Sequence, residues 1–331
     1  MRIFVAGASG VIGRRLLPEL VENGHYVVGL ARSERSARLV RSLGAEPVTA
    51  DALDARAVRD AVRRAEPEVV VHQLTALTGV SDPRKFEREF EPTNRLRTIG
   101  TDYLLAAARE AGARRFVAQS FAPTIYARED GPVKTEEDPL DPNPPKPLRT
   151  TFDALVHLER AVLGATDLEG VVLRYGGFYG PGTSLGEPDD DGRGGEYLDA
   201  IRRGRFPLVG SGDGVWSFVH ADDAASATAA AIQRGEPGVY NVMDDDPAPV
   251  FEWLPALADA IGARSPRRVP VWAARLLAGE AAVVMMTGLR GSSNAKAKPE
   301  LGWTPRWPSW REGFVHGLGS PARSAAGGRE A

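Results

Sequence analysis

Gly7, Gly10 and Gly13 are spaced three apart in the run Gly7-Ala8-Ser9-Gly10-Val11-Ile12-Gly13. The apolar segment Ile3-Phe4-Val5-Ala6 leads into this run, and Arg14-Arg15-Leu16-Leu17 follows it with helical character. A strand, a tight glycine turn and a helix in immediate succession can bind phosphate. Glycine lets the backbone turn sharply, lets a pyrophosphate come close and lets the helix pack on its strand. The helix start then presents unpaired N–H groups and a partial positive charge, here from Ser9, Val11, Ile12 and the glycines. This context makes the triplet a dinucleotide-binding signature. In such folds a carboxylate at the tip of the second strand holds the ribose 2′-hydroxyl. Here the second strand runs out at Leu30-Ala31 and the next residues are Arg32 and Ser33, with Arg35 and Arg38 on the following turns. A guanidinium pairs with a 2′-phosphate that a carboxylate would repel, which favours NADP(H) over NAD(H). The competing reading of Arg32 is a solvated arginine in an arginine-rich chain.

These residues need a parallel sheet beneath them, and the first 180 residues supply its pattern. Short β-branched runs at Ile3–Ala6, Tyr26–Ala31, Glu46–Thr49, Val69–His72, Arg115–Gln119 and Gly170–Arg174 alternate with helical stretches at Ala55–Ala65, Arg95–Ala111 and Thr151–Leu163. That alternation predicts an α/β fold with a doubly wound parallel sheet. Five prolines between Asp138 and Pro147 predict a loop. The glycine-rich stretch from Gly180 to Gly195 predicts a mobile loop, with Asp189-Asp190-Asp191 solvated rather than metal-binding. Residues 1–175 and 218–245 are expected to form the nucleotide-binding domain, 176–217 and 246–316 a smaller, mostly helical substrate portion, and 319–331 a disordered tail. A net charge of −3 gives no reason to expect nucleic acid as a partner, and the absence of cysteine excludes thiolate chemistry and cysteine metal sites. No metal site is expected. The apolar run at the start is too short for a signal peptide, and Arg275 and Glu280 interrupt Val271 to Leu289, which reads as a buried or lid helix. A cytoplasmic monomer or homodimer with no membrane partner is the expectation.

The chain resembles the extended short-chain dehydrogenases/reductases of the NAD-dependent epimerase/dehydratase type. The glycine loop, Asp51, Val70-Val71-His72, Asn94, Arg115 to Ser120, Leu173-Arg174, Tyr179-Gly180-Pro181-Gly182, Phe218 to Asp223 and Leu301-Gly302-Trp303-Thr304-Pro305 carry the likeness. It places the cofactor against Gly7, Ser9, Gly10, Val11, Ile12, Gly13, Arg32, Ser33, Asp51, Ala52, Leu74, Thr75, Ala76 and Asn94. It also implies contact at Tyr175 and Gly176, where a loop passes the nicotinamide and the pair Gly176-Gly177 permits close backbone approach. Members use a serine or threonine, a tyrosine and a lysine, the last two spaced Tyr-x-x-x-Lys. None of the seven tyrosines here has a lysine four residues on. Counting back from Glu159 puts Thr151 at the tyrosine position and Leu155 at the lysine position, and Ala122 falls at the serine position.

An intact cradle without its proton-transfer groups leaves two readings. In the first, the chain is an NADPH-dependent ketoreductase of a bulky, aromatic or polyketide-like carbonyl compound, as in antibiotic biosynthesis, and substrate or water supplies the proton. Orientation and proximity then carry the hydride step. The long second portion, with Trp216, Trp253 and Trp272 able to line a pocket, favours this reading. The alternative is a non-catalytic NADP(H) sensor of the NmrA-like kind. A nucleotide-sugar epimerase or dehydratase ranks below both, because oxidising a sugar alcohol needs the tyrosine base. Ser120, at the carboxyl end of a strand, and Thr151 are the residual catalytic candidates. Thr124 and Tyr126 are expected in the loop facing the nicotinamide. His157 lies about 240° round the helix from Thr151 and is expected to face away from the site. His220 is expected to be a satisfied structural histidine.

Overall fold

The computed structural model of the protein describes residues 1–77 and 83–319, so the expected tail lies almost wholly outside the described residues. Seven strands form one parallel sheet: β1 (Arg2–Ala6), β2 (Tyr26–Ala31), β3 (Glu46–Thr49), β4 (Val69–His72), β5 (Arg115–Phe121), β6 (Glu169–Tyr175) and β7 (Gly238–Val242). Their spatial order is β7-β6-β5-β4-β1-β2-β3, with every neighbouring pair parallel. Val69-Val70-Val71 is wholly buried, as a central parallel strand covered on both faces requires. Alternation splits β1 between two apolar clusters. Ile3 and Val5 pack with Leu16, Leu17 and Leu20 of α1 (Gly13–Glu22), while Phe4 and Ala6 pack with Val58 and Val62 of α3 (Ala55–Ala65). Asp54 starts α3 by accepting hydrogen bonds from the amides of Arg56 and Ala57, both at 3.0 Å. α2 (Glu34–Ser42) follows β2. Among the described residues no helix is long and apolar enough to cross a membrane.

The predicted helix Arg95–Ala111 is two pieces, a π-helical turn (Leu96–Gly100) and α5 (Thr101–Glu110), and α4 (Phe86–Arg95) precedes it without a counterpart among the sequence expectations. α6 (Arg149–Leu163) follows the proline-rich loop. β7 has no counterpart among the sequence expectations. It arrives after α7 (Ala221–Gln233) and pairs with β6 from Gly238↔Val171 to Val242↔Tyr175.

A further apolar cluster draws mainly on residues 179–218 and 248–318. Trp216 and Trp253 belong to it, their rings 5.1 Å apart and packed with Phe218. They fill this core and do not line a pocket, because aromatic area buried against other aromatic rings has no face left for a ligand. Trp272 is the reverse case, 71% exposed on α8 (Val271–Thr287), a helix interrupted at Gly279 (φ 82°).

Candidate active site

The strand order reverses direction between β1 and β4, and in open α/β sheets the ligand crevice lies at that switch, outside the carboxyl ends of the strands. The glycine loop sits there. Gly7 has φ +96°, and a Cβ on it would lie 2.5 Å from the carbonyl oxygen of Gln73, the residue after β4. A Cβ on Gly13 would lie 2.4 Å from the Gly7 carbonyl. The fold itself therefore demands both glycines. At Gly10 the nearest atom would be the Gly7 carbonyl at 3.2 Å, so its missing side chain leaves room on the outer face. Among the described residues no side chain caps the start of α1. The amides of Val11, Ile12 and Gly13 find no acceptor among the described residues, so the cradle fits a pyrophosphate. Ser9 turns its carbonyl away from it, accepting from Arg14 Nε at 3.1 Å and Arg193 at 3.3 Å.

At the tip of β2 Arg32 is exposed, with no ion pair among the described residues. Ser33 caps α2 through reciprocal bonds with Ser36. Arg35 pairs with Asp191 at 3.1 Å. The acidic run is not simply solvated. Asp189 and Asp191 hold Arg14 at 3.3 and 2.5 Å, which ties the loop from residue 180 to 195 to the first turn of α1. Arg15 adds a second strut, to Asp222 at 2.5 Å and to the Pro181 carbonyl at 2.8 Å. Asp51 is exposed and accepts from the Leu53 amide, with Ala52 buried beside it.

Beyond β4, Leu74 N–H donates to His72 Nδ1 at 3.2 Å and Ala76 N–H to Thr93 at 3.0 Å, while Thr75 is exposed. Thr101 gives its proton to the Arg97 carbonyl, so it accepts from His72 Nε2 at 3.0 Å. His72 is thus neutral, and burial pushes its pKa down to about 4. An unfolded histidine binds a proton below about 6.5. The stabilisation is therefore complete above that pH and lost as pH falls towards about 4. We predict a loss of up to about 3 kcal/mol across this window. Urea unfolding between pH 7 and 4.5 checks it, and His72→Asn should flatten the acid limb.

Asn94 and Thr151 meet: Asn94 Nδ2 donates to Thr151 Oγ1 at 3.2 Å. Thr151 is buried in the first turn of α6 and makes no cap. Ala122 and Leu155 are fully buried with Ile125, Tyr126, Phe152 and Met243 in one apolar cluster. The structure corrects the expectation for Ser120. It is inaccessible, and its hydroxyl donates at 2.6 Å to Glu159, which is bound at both oxygens by Arg174 at 2.8 and 2.5 Å. The network continues from Arg174 to the Tyr126 hydroxyl at 2.9 Å and on to Asn241 at 2.7 Å. Burial pushes the Tyr126 phenol up to about 12, so near neutrality it stays protonated. Neither side chain is free to move a substrate proton. The Tyr175 side chain is also inward, its hydroxyl bonded to Thr228 at 2.6 Å and Gln73 at 3.1 Å. A Cβ on Gly176 would strike the Ser217 carbonyl at 2.6 Å. The close approach there is to protein, so packing alone demands this glycine. His157 faces away as expected and pairs with Asp102 at 2.8 Å, and both ring nitrogens of His220 are bonded.

Four polar atoms at these strand ends and on the helix beside them are buried without partners among the described residues: Gln73 Oε1, Asn94 Oδ1, Arg97 Nη1 and Thr124 Oγ1. Buried polar atoms are normally bonded, so these four, like others in the core, have capacity left for a hydrogen bond to a bound group. Sequence reasoning misses Arg97, because a charged residue on a helix reads as solvated. The signal that could find it is positional, since Arg97, Gly100, Thr101, Leu104 and Leu105 fall on one helical face and all are buried.

Residues 3–242 match the NAD dependent epimerase/dehydratase family. A Streptomyces protein named 3-diazoavenalumate denitrifying reductase is 45% identical over 315 residues, 95% of this chain and 99% of its own length. A ketoreductase of a farnesylated oxo-dihydroquinoline oxide from Stigmatella aurantiaca is 30% identical over 84% of this chain and 79% of its own. The UDP-glucose 4-epimerase structure from Thermotoga maritima superposes with a TM-score of 0.74 at 23% identity, covering 96% of this chain and 97% of that one.

Proposed function

Because the chain belongs to the NAD dependent epimerase/dehydratase family, we propose that it is an NADPH-dependent reductase of an aromatic small molecule whose own structure activates the reacting group. One observation carries this reading. The glycine cradle is open to a pyrophosphate, while the positions that would carry serine, tyrosine and lysine are Ala122, Thr151 and Leu155, all closed into the protein interior. The bound dinucleotide supplies a hydride. The protein's share is to hold the dinucleotide on the amides of residues 11–13 and at Arg32, and to exclude water with the portion formed by residues 176–217 and 246–316. Two electrophile classes suit a site with no acid. A conjugated carbonyl with a neighbouring hydroxyl accepts hydride at carbon, and its oxygen takes the proton from that hydroxyl or from water. An aryl diazonium group accepts hydride at its terminal nitrogen. That consumes the positive charge, and the resulting diazene loses N₂ to leave a C–H bond. No proton donor is needed, and a lysine ammonium would repel such a cation. The diazo acid in the Streptomyces relative's name supports the second class as the first to test.

The test is NADPH oxidation, against a protein-free baseline, with hydroxyarenediazonium salts, quinones and hydroxyaryl ketones, following N₂ release for the first. Tight NADPH binding without turnover on any of them would make the chain a sensor instead. For cofactor choice, Arg32→Glu should weaken NADPH binding by about 10- to 100-fold, the loss of one charge-assisted contact, and leave NADH within threefold. Nicotinamide fluorescence titration measures both.

A further inference from the structure

Arg97 is 3% exposed, in the π-helical turn between α4 and α5. Such turns break the regular helix ladder and recur at functional sites. A buried guanidinium is ordinarily paired with a carboxylate or saturated by carbonyls, because an unpaired buried charge is costly. The Arg97 side chain has neither among the described residues, and its Nη1 is sealed from solvent with no partner. Burial alone pushes its pKa down, to about 10; a nearby carboxylate would act in the opposite sense. Its charged-group neighbour at the end of β4, His72, is neutral, and Asn94, one turn earlier, also has an orphaned oxygen. Across the switch point the cations of the first turn of α1 are already engaged. Arg14 is held by Asp189 and Asp191, and Arg15 by Asp222.

We propose that Arg97 is the counter-charge for an anionic oxygen group bound in the switch-point crevice, supplied by the dinucleotide's pyrophosphate or by a carboxylate on the substrate. The inference rests on that crevice being the ligand site, as in the reading above. An empty site leaves the guanidinium uncompensated, and the arriving anion pairs it and offers Asn94 a hydrogen-bonded neighbour. Arginine suits this task because its planar fork can meet two oxygens at once.

Thermal melts and NADPH titrations on the full chain, Arg97→Met and Arg97→Lys test it. Without ligand, Arg97→Met should melt at or above the unsubstituted chain, since an unpaired buried charge has been removed. A melt lower by 5 °C or more would assign Arg97 to holding the fold and overturn the proposal. If pyrophosphate is the anion, Arg97→Met weakens NADPH binding at least tenfold, Arg97→Lys recovers most of it, and the difference shrinks at high salt. If the anion is a substrate carboxylate, NADPH binding stays within twofold. Binding of 4-hydroxycinnamate relative to 4-hydroxycinnamyl alcohol, measured with and without NADPH, then loses its preference for the acid by tenfold or more. Unchanged values in both arms would overturn the proposal. Failure of the unsubstituted chain to bind NADPH would instead remove the dinucleotide reading, and the carboxylate arm would still decide the role of Arg97.

Discussion

Gly10→Ala is expected to fold and yet bind NADPH roughly 100-fold more weakly, a change of about 2.7 kcal/mol. Gly7→Ala is expected to fail earlier, in folding. The two glycines belong to one motif but answer to different neighbours. At Gly7 a methyl group would sit 2.5 Å from a backbone carbonyl that cannot move away, and the residue holds a left-handed φ of +96°. Strain and overlap together should cost about 3 kcal/mol or more. At Gly10 the added carbon meets only the Gly7 carbonyl at 3.2 Å, so a shift of a few tenths of an ångström accommodates it. What it does occupy is the outer face of the turn, where the phosphates must come within hydrogen-bond reach of the amides of residues 11–13. Urea unfolding separates the first effect, and fluorescence titration the second. Native-like NADPH binding by Gly10→Ala would mean that the phosphates do not lie over this turn.

The chain announces its sheet well because β1, β2, β4, β5 and β6 are largely buried, mostly apolar runs bounded by glycine or polar turns, whereas β3 is an exposed edge strand. β7 is not legible: Gly238-Val239-Tyr240-Asn241-Val242 is short, contains a polar residue and stands at the sheet edge. α4 escapes for a related reason. Its charged sequence includes Pro92 and buries only Phe86 and Thr93, so no apolar stripe marks it. The π turn that splits the long helix leaves no trace in a 3.6-residue period. At the site, backbone geometry is readable and side-chain commitments are not. The glycines forecast the turn because their conformation is local. Ser120 reads as open to the crevice because its partner, Glu159, lies 39 residues further on. Trp216 and Trp253 suggest a pocket because aromatic content looks the same in a core and in a ligand site. The ion pairs of Arg14, Arg15 and Arg35 are illegible for the same reason as the Ser120 bond, since Asp189, Asp191 and Asp222 hold them from more than 150 residues away.

The largest stability effect should come from Glu159→Ala. Arg174 and Glu159 are 4% and 5% exposed at the side chain, so removing the carboxylate strands a buried guanidinium whose Nε and Nη2 both bond to it. Breaking such a pair from one side costs about 3–5 kcal/mol, a large part of the stability of a domain. Replacing both partners, with Glu159→Leu and Arg174→Met, should recover much of that loss, because the desolvation cost disappears with the charges. Ser120→Ala removes one hydrogen bond to a charged acceptor and should cost about 1.5–3 kcal/mol. Its turnover per folded molecule should nevertheless match that of the unsubstituted chain, because the hydroxyl points at Glu159 and not at the crevice. Urea midpoints at pH 7 together with NADPH oxidation rates separate the two roles. A Ser120→Ala chain of unchanged stability with turnover reduced 100-fold would return Ser120 to the chemistry. It would also mean that the network tying β5, α6 and β6 together opens during the reaction, so that the family's proton donor has been replaced rather than lost.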